Sequence, residues 1–570
     1  MTDLPDEPAA VFGPDETAVV AGPVPGGPDR WRRPAPADSL TPTERVVPSW
    51  TDPTVRRASD LIGGPLGRHA LVGRARIVTP LRVCLAMAIL VLICGWLYKS
   101  PCIQQAPNGA GGFMLDQSGE RPWITGCYND VVPLYATHGL DHQKLPYTTE
   151  FNADGALVPY SEYPVVTGYF AWAVSVVSDH YGRLAKTLGI WVPLDVAGYF
   201  TIGAILLGLC YLVAVAATAR IARRRPWDTA IMCLSPLLIV HAFTNWDLLP
   251  IGLTAAAMFA WSKGRWRPEK PWALGWPLLA GVLLGVGTAA KLYPVLLLGP
   301  LLVLCLRSGR MRAWIAAALA LAATWAAVNL PVLAAYPTGF NQFFKLNSER
   351  VAEWDSVYQL YMSLSGNRVF DPAAGQTSPG LLNGLSLVLF LIAAAAIGWF
   401  ALSAARRPRF AQLAFLIVAA FLLTNKVWSP QYSLWLVPLV ALALPRWRLA
   451  LAWQFAEAVV WILLMFSFDQ DKAKGLSIYP FDGMALVRDA LLIAIMVLVV
   501  RDVIRPAGDL IRMAGDDDPS GGVLEDAEDR FTLPSLPVLW ARRRRRSRTA
   551  VDDTAEANIP EPAGVSLPPA

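Results

Sequence analysis

The sequence predicts an all-α polytopic membrane protein, a bundle of about 12 transmembrane helices with a large first extracytoplasmic loop. Of its 570 residues, 54% are hydrophobic and only 16% are charged, whereas a soluble domain carries about 25% charged residues. The mean hydropathy is +0.39. Apolar runs of 15 to 24 residues recur along most of the chain, and runs of this length can cross a bilayer.

Both ends of the chain are predicted to be disordered cytoplasmic tails. Residues 1–75 are Pro-rich and mixed in charge, and they do not begin with the apolar segment of a secretory signal peptide. Residues 507–570 are polar and contain an arginine run from Arg542 to Arg548. This run is either part of a solvated tail or a contact with anionic lipid.

Twelve apolar runs within the central domain, residues 76–506, are predicted to span the membrane. Several are near 15 residues long, which favours helices that are tilted or penetrate only part of the bilayer. The runs are 81–98, 196–219, 227–243, 248–262, 273–290, 292–306, 313–335, 381–404, 409–424, 431–445, 448–468 and 483–503.

One further apolar run, residues 163–181, decides the orientation. If it is a re-entrant or interfacial helix, every basic loop lies with both tails on the cytoplasmic side, as the positive-inside rule requires. If it spanned the membrane, the basic loops would all move outside. We therefore expect no crossing there, which gives large extracytoplasmic loops at 99–195 and 336–380. The basic loops are 219–226, 263–270, 307–312, 405–409, 446–448 and 501–506.

Asp130 is the first candidate functional residue. It lies in the stretch CYNDVVPLY of the first extracytoplasmic loop, between Tyr128 and Tyr135. A loop aspartate is ordinarily a solvated carboxylate. The apolar and aromatic neighbours instead predict partial desolvation, which raises the pKa of a carboxylate and suits it to act as a general base.

Two other outside segments carry polar residues that have alternative explanations. Glu162 and Tyr163 begin the ambiguous run and are either an interfacial anchor or part of a site with the Asp130 loop. Asn245 and Asp247 lie in a tight turn between two spans, where turn formation and N-capping are sufficient to explain them.

Isolated cations lie on the same predicted face. Lys291 stands between two spans without a polar linker, and Lys426 lies close to Trp428 and Gln431. Arg350 belongs to an aromatic stretch of the second large loop. A lysine at the membrane boundary either snorkels or pairs with an anion, and cations collected on one face suggest a bound phosphate.

The seven cysteines divide by location. Five lie in or beside apolar runs, as packing residues do. Cys102 and Cys127 share the loop after the first span, where an extracytoplasmic location would permit a disulfide. No Cys–Cys or Cys–His spacing predicts a zinc site.

These features together suggest a transfer reaction outside the cytoplasm. The sequence has no P-loop, no dinucleotide-binding fingerprint and no G-x-S-x-G motif. Nucleotide-activated donors are not available on that side of the membrane. The membrane itself would have to deliver an activated donor, such as a lipid phosphate.

Four stretches, in this order, resemble a known family. They are YND with a later PY in the first loop, EYPVVTGYF, GTAAKLYPVLLL and NKVWSPQYSLWLVPL. They resemble the polyprenyl-phosphate-dependent membrane glycosyltransferases of the GT-C class, most specifically glycosyltransferase family 87, the actinobacterial α-mannosyltransferases. The resemblance covers residues 80–505 and leaves out both tails.

The resemblance implies a GT-C-like fold and an inverting transfer of mannose from a polyprenyl-phosphate donor to a glycolipid or lipid-linked glycan at the plasma membrane. It implies a catalytic role for Asp130 and neither a metal nor another cofactor. Lys291 matches the family's lysine after a small-residue stretch. Val165 stands where the family has a second proline, so the substrate loop departs from the family pattern.

In the mechanism that follows, Asp130 acts as the base. Lys291, Lys426 and Arg350 stabilise the leaving phosphate. Two other functions remain open: a transporter or flippase of polyprenyl- or sugar-lipids, and a non-catalytic lipid-binding relative. A transporter favours internal symmetry, and none is evident in the sequence. The candidate substrate-binding residues are Tyr128, Tyr135, Glu162, Tyr163, Asn245, Asp247, Trp428 and Gln431.

Overall fold

The computed structural model describes residues 79–534, apart from 110, 152–156, 266–269, 271–272, 470–474 and 526. The predicted N-terminal tail lies outside the described residues. The described chain is predominantly helical, which confirms the predicted all-α class. Its strands form two short antiparallel hairpins in the first loop: β1 Gln105–Pro107 with β2 Phe113–Leu115, and β3 Thr149–Phe151 with β4 Leu157–Pro159.

The α-helices of the described chain follow one another with short connections, apart from the two large loops. In chain order they are α1 Pro80–Lys99, α2 Arg121–Ile124, α3 Val131–Thr137, α4 Val165–Thr187, α5 Asp195–Ile221, α6 Ala230–Cys233, α7 Pro236–His241, α8 Leu248–Lys263, α9 Gly275–Ala290, α10 Leu298–Ser308, α11 Met311–Ala335, α12 Pro337–Glu349, α13 Val357–Ser365, α14 Gly380–Ser403, α15 Phe410–Thr424, α16 Leu436–Ala443, α17 Trp447–Phe468, α18 Tyr479–Ile504 and α19 Leu510–Met513.

Most predicted spans are helices of the structure. Within the described residues, α1, α5, α11, α14, α17 and α18 are long and apolar enough to cross a membrane, and five shorter apolar helices involve α8, α9, α10, α15 and α16. The predicted run 227–243 differs, because it breaks into a 3₁₀ turn, α6 and α7. The break falls at Ser235, which is extended with ψ 120°, since the following Pro236 disfavours a helical conformation there.

Two glycines allow α9 and α11 to pack closely. A Cβ atom at Gly281 would lie 2.2 Å from the Ala317 carbonyl oxygen, and one at Gly285 would lie 2.8 Å from the Leu321 carbonyl oxygen. Small residues at four-residue spacing let helix backbones approach in this way. The contact holds the end of α9, which precedes Lys291, against α11.

The chain returns to one end of the bundle around α4. Cys102 follows α1 and Asp195 begins α5, and both line the same cavity. The chain between them, including α4, therefore makes no net crossing of the bundle. This agrees with the prediction that the run 163–181 does not span the membrane.

The opposite end gathers the predicted basic loops around a C-terminal segment that was expected to be disordered. Residues 507–534 are described, and their acidic side chains pair with those loops. Arg409 Nε lies 2.8 Å from Asp509 Oδ2, and Arg307 Nη2 lies 2.6 Å from Asp529 Oδ2. Arg223 pairs with Glu525 of the same segment. We name residues 509–529 the acidic clasp. The tail beyond residue 534, with its arginine run, lies outside the described residues.

The Arg409–Asp509 pair should contribute substantially to stability, because both side chains are almost fully buried. Asp509→Asn should lower the free energy of unfolding by about 3–5 kcal/mol, as expected when one partner of a buried pair is removed. Thermal unfolding of the purified protein, followed by tryptophan fluorescence, measures the effect. Asp179→Asn removes the exposed Asp179–Arg183 pair and should cost about 0.3–0.5 kcal/mol. Equal melting temperatures for the two variants would contradict this account.

Candidate active site

Asp130 lies immediately before α3 and is partly exposed. Its side chain does not cap that helix. The segment is instead fastened to the turn between α7 and α8: the Asp130 amide donates to the Thr244 carbonyl at 2.8 Å, and the Asn245 amide donates to Asp130 Oδ2 at 2.9 Å. The structure thus brings together two predicted site residues that are 115 positions apart in the chain.

Asn245 connects Asp130 to Tyr163. Asn245 is buried, and its Nδ2 atom lies 3.0 Å from the Tyr163 hydroxyl oxygen. The Tyr163 ring packs edge-on against Trp246, with 4.9 Å between the ring centroids. Glu162 is half-buried beside it. The Tyr163 hydroxyl and the Asp130 carboxylate therefore share one amide group.

Asp247 and Lys291 form an ion pair at the same place. Lys291 Nζ lies 3.2 Å from Asp247 Oδ1, and the Trp435 indole N–H donates to the same oxygen at 2.9 Å. Asp247 makes no capping hydrogen bond to α8, so the pairing and not N-capping accounts for its side chain. Lys291 Nζ also lies 4.6 Å from the centroid of the Tyr432 ring, a cation–π distance.

The environment shifts both ionisable groups that face the site. Burial raises the pKa of the Asp130 carboxyl, and hydrogen bonding from Tyr128 and Asn245 with the charge of Lys291 opposes this only in part. Burial lowers the pKa of Lys291, but Asp247, Tyr432 and Asp130 together outweigh it, so the pKa is raised. Asp130 is thus a more basic carboxylate than usual, and Lys291 remains a cation.

Arg350 and Lys426 are close together but have different roles. Lys426 Nζ donates to the Arg350 carbonyl at 2.7 Å and to the Ser348 carbonyl at 3.3 Å, so it holds the second large loop. Burial and the Arg350 charge lower the pKa of Lys426 to about 8. The Arg350 guanidinium is partly exposed and lies 3.9 Å from Glu353 Oε2, and its charge also acts on Tyr432 and Tyr163. Arg350 therefore faces the site, whereas Lys426 supports it.

Three other predicted site residues lie apart from Asp130's partners. Trp428 is fully buried, and its ring lies 3.8 Å from the Arg488 guanidinium carbon. Gln431 is also buried, on the 3₁₀ turn before α16. Tyr135 packs on Tyr199, 4.7 Å between ring centroids, and lines a separate cavity. Trp428 is a packing residue of the bundle.

Lys99 is a buried lysine that was not predicted as a site residue. Its Nζ atom donates to the Tyr128 carbonyl at 2.7 Å, contacts the Gly126 carbonyl at 3.5 Å and lies 4.4 Å from the Trp461 ring centroid. It thus fixes the segment that leads to Asp130. It is the last residue of α1, and a lysine at the end of an apolar helix is typical of a side chain that snorkels to the membrane surface.

A disulfide fixes the same segment from its other side. Cys102 and Cys127 are bonded, with 5.6 Å between their Cα atoms. The bond ties the chain three residues before Asp130 to the end of α1. Tyr432 and Trp435, which stack on each other at 4.3 Å, were also missed, although their spacing in SPQYSLW places both rings on one side of a helical turn.

The site is suited to an anionic ligand. Lys291 and Arg350 are the cations that face it, and both retain some exposure. Within the part of the chain that the structure describes, no group of three His, Cys, Asp or Glu side chains is arranged to hold a metal ion. A partly exposed carboxylate near the Lys291 cation can accept a proton while a neighbouring negative charge is stabilised.

Lys99→Met should destabilise the protein, because it leaves the Tyr128 carbonyl without its donor, whereas the Gly126 carbonyl keeps the Trp461 indole N–H. We expect a loss of about 1–3 kcal/mol, the typical cost of unsatisfied buried acceptors. The matched control is Lys144→Met, which removes an exposed pair with Glu150 and should cost at most about 1 kcal/mol. Thermal unfolding of the two variants measures the difference. A smaller loss of stability for Lys99→Met than for Lys144→Met would contradict the assigned role.

Comparison with known proteins finds a family that is similar to part of this chain. Residues 187–430 match the model of glycosyltransferase family 87; this range includes Asn245, Asp247, Lys291 and Arg350. No curated protein matches the sequence. A similar solved structure is the crystal structure of the Archaeoglobus fulgidus oligosaccharyltransferase tethered with an acceptor peptide containing the NVT sequon via a disulfide bond.

That similarity is distant. The identity is 12% and the TM-score is 0.33, and the match covers 80% of this chain but only 60% of the oligosaccharyltransferase chain. The family match is the more specific finding, because it names an enzyme class and includes most of the polar residues around Asp130. Over residues 187–430 the chain is therefore similar to glycosyltransferase family 87, and its apolar helices agree with a membrane glycosyltransferase.

Proposed function

We propose that the protein transfers a sugar, most specifically mannose, from a polyprenyl-phosphate donor to a glycolipid or lipid-linked glycan, with inversion at the anomeric carbon. The observation that carries this proposal is the joining of Asp130 to Lys291 through the Asn245–Asp247 turn. A base for the acceptor hydroxyl and a cation for the leaving phosphate are thereby held in one site.

The reaction needs one proton transfer and one displacement. Asp130 takes the proton of the acceptor hydroxyl, and the acceptor oxygen attacks C1 of the sugar. The bond from C1 to the phosphate oxygen breaks, and its electron pair stays on the lipid phosphate. Lys291 and Arg350 stabilise that charge, while Tyr163 and Asn245 orient the groups around Asp130. Attack opposite the leaving group inverts the configuration, and no metal or other cofactor takes part.

An apolar groove beside the site supports a lipid donor. It lies between the start of α4, the end of α9, and helices α11 and α12, and Tyr163 belongs to its wall. Its other walls include Trp325, Phe340 and Phe344. The groove itself encloses only about 20 Å³. A polyprenyl chain would therefore lie along its exposed apolar residues, Leu292 and Phe344, while its phosphate reaches the cations.

The side of the membrane is also part of the proposal. The basic loops collect at the acidic clasp, and Asp130 lies at the other end of the bundle. Under the positive-inside rule the clasp end is cytoplasmic. We therefore assign both termini to the cytoplasm and the site to the extracytoplasmic face of the plasma membrane.

Asp130→Asn should reduce transfer by about 10²–10⁴-fold, the usual contribution of a general base. The assay uses membranes, radiolabelled polyprenyl-phosphate-mannose and a membrane glycolipid extract. The matched control is Glu150→Gln, which makes the same carboxylate-to-amide change at an exposed position of the first loop and should leave the rate unchanged. A fully active Asp130→Asn protein with normal melting temperature would refute the assignment of the base.

The same assay tests the electrostatics of Asp130 as a function of pH. Only the ionised carboxylate accepts a proton, so activity should fall as the pH drops through its raised pKa, above the usual value of about 3.9. Asn245→Ala removes a hydrogen bond that lowers this pKa, and the acid limb should move to higher pH. An unchanged acid limb, in a variant that still folds, would show that another group titrates.

Cysteine labelling tests the orientation. Gln376 lies in the second large loop and Glu528 at the acidic clasp, and both are exposed. In intact cells, a membrane-impermeant maleimide should label Gln376→Cys but should label Glu528→Cys only after permeabilisation. The parent protein, whose free cysteines are buried or half-buried, supplies the background. The reverse pattern of labelling would invert the proposed topology.

A further inference from the structure

A second large cavity adjoins the Asp130 segment and is not used by the donor. It has a volume of about 660 Å³ and lies between the first loop and the start of α5. We name it the aromatic cleft and define it by Trp123, Tyr128, Tyr135, Gln117, Asp141 and Asp195. Its size falls within the range of small-molecule sites.

We propose that the aromatic cleft binds the uncharged carbohydrate portion of the acceptor. This inference rests on the proposed function, because it assigns the second substrate of that reaction to a defined place. The ligand class is a neutral glycoside, which offers C–H faces to aromatic rings and hydroxyl donors to carboxylates.

The rings of the cleft are held in place before any ligand binds. Trp123 stacks on Tyr128 with 5.1 Å between centroids and an interplanar angle of 21°, and Phe468 packs edge-on against Trp123. Tyr135 is fixed against Tyr199. Flat aromatic faces that do not reorganise bind a rigid ring at low entropic cost.

The charge of the cleft excludes a phosphate. Its ionisable groups within the described chain are the carboxyl groups of Asp141 and Asp195 and the phenols of Tyr128 and Tyr135; no lysine, arginine or histidine lines it there. Both carboxylates retain exposure and can accept hydrogen bonds from sugar hydroxyls. This is the reverse of the donor site, where Lys291 and Arg350 face the ligand. An anionic donor would therefore bind beside the cations, and a neutral acceptor would bind in the aromatic cleft.

Tyr128 connects the cleft to the reaction. Its ring lines the cleft, and its side chain is near enough to the Asp130 carboxyl to lower the pKa of that group. Asn129, which also lines the cleft, is adjacent to Asp130 in the chain. A sugar stacked against Tyr128 can therefore present a hydroxyl to Asp130, while the donor approaches from the side of Tyr163.

The test measures binding without turnover. The probe is octyl α-mannoside, added to protein in nanodiscs of zwitterionic lipid, since sugar-headed detergents would occupy the cleft. Its dissociation constant is measured by saturation-transfer NMR titration, and that of farnesyl phosphate is measured in parallel. Trp123→Leu removes the stacking face. Asp195→Asn removes a carboxylate charge without changing the size of the side chain, at the exposed first residue of α5. It provides a second test if Trp123→Leu folds poorly.

Both variants should weaken octyl mannoside binding by about 5-fold or more, because specific contacts are lost, and should leave farnesyl phosphate binding within about 2-fold. The matched control Arg350→Gln should show the opposite pattern. Unchanged glycoside affinity in both variants, or weakened farnesyl phosphate binding in them, would overturn the proposal.

The same measurements separate this inference from the proposed function. Glycoside binding that depends on the cleft, in a protein that transfers no sugar, would contradict the proposed function and leave the cleft assignment standing. Transfer activity with a normal KM for the glycoside in both cleft variants would contradict the cleft alone.

Discussion

The Asp247–Lys291 ion pair is the interaction on which the site depends. Each charge alone would be costly in an apolar bundle, because burial of an unpaired ion costs several kcal/mol. Together, with the Trp435 indole N–H on the carboxylate, they are stable and join two tight turns. Asn245 lies two residues before Asp247, so the pair also sets the position of the amide that holds Asp130. The cation thus contributes to the position of the base as well as to the charge of the site.

Charge then separates the surroundings of Asp130 into two chemical regions. On one side Lys291 and Arg350 lie near Tyr163 and an apolar groove. On the other side the aromatic cleft carries carboxylates and rings. Lys99 and the Cys102–Cys127 bond hold the segment between the two regions. In the proposed reaction, these opposite electrostatic environments would keep an anionic donor and a neutral acceptor apart until they react.

The sequence predicts the fold class and much of the site because both depend on where charge occurs in an apolar chain. Asp130 was predicted from its aromatic neighbours and Lys291 from its lack of a polar linker, whereas Asn245, Asp247 and Arg350 were candidates on the same face. The roles of Lys426 and Trp428 were not predictable, since only the path of an irregular loop decides whether a side chain faces the site or a carbonyl group. Lys99 was missed because a lysine at a helix end is common. The acidic clasp was missed because an acidic, Gly- and Pro-containing stretch has the composition of a disordered tail until its basic partners are known.

The acidic clasp has a consequence for the order in which the protein is made. Its arginines belong to loops that are synthesised before the clasp, since residues 223, 307 and 409 all precede residues 509–529. On the emerging chain these arginines carry unpaired positive charge, which is the form that orients transmembrane segments during insertion. Only when the last helix is complete does the acidic segment emerge and neutralise them. The same arginines thereby orient the helices first and later form ion pairs that stabilise the fold. The emergence of the acidic clasp marks the change from the first role to the second.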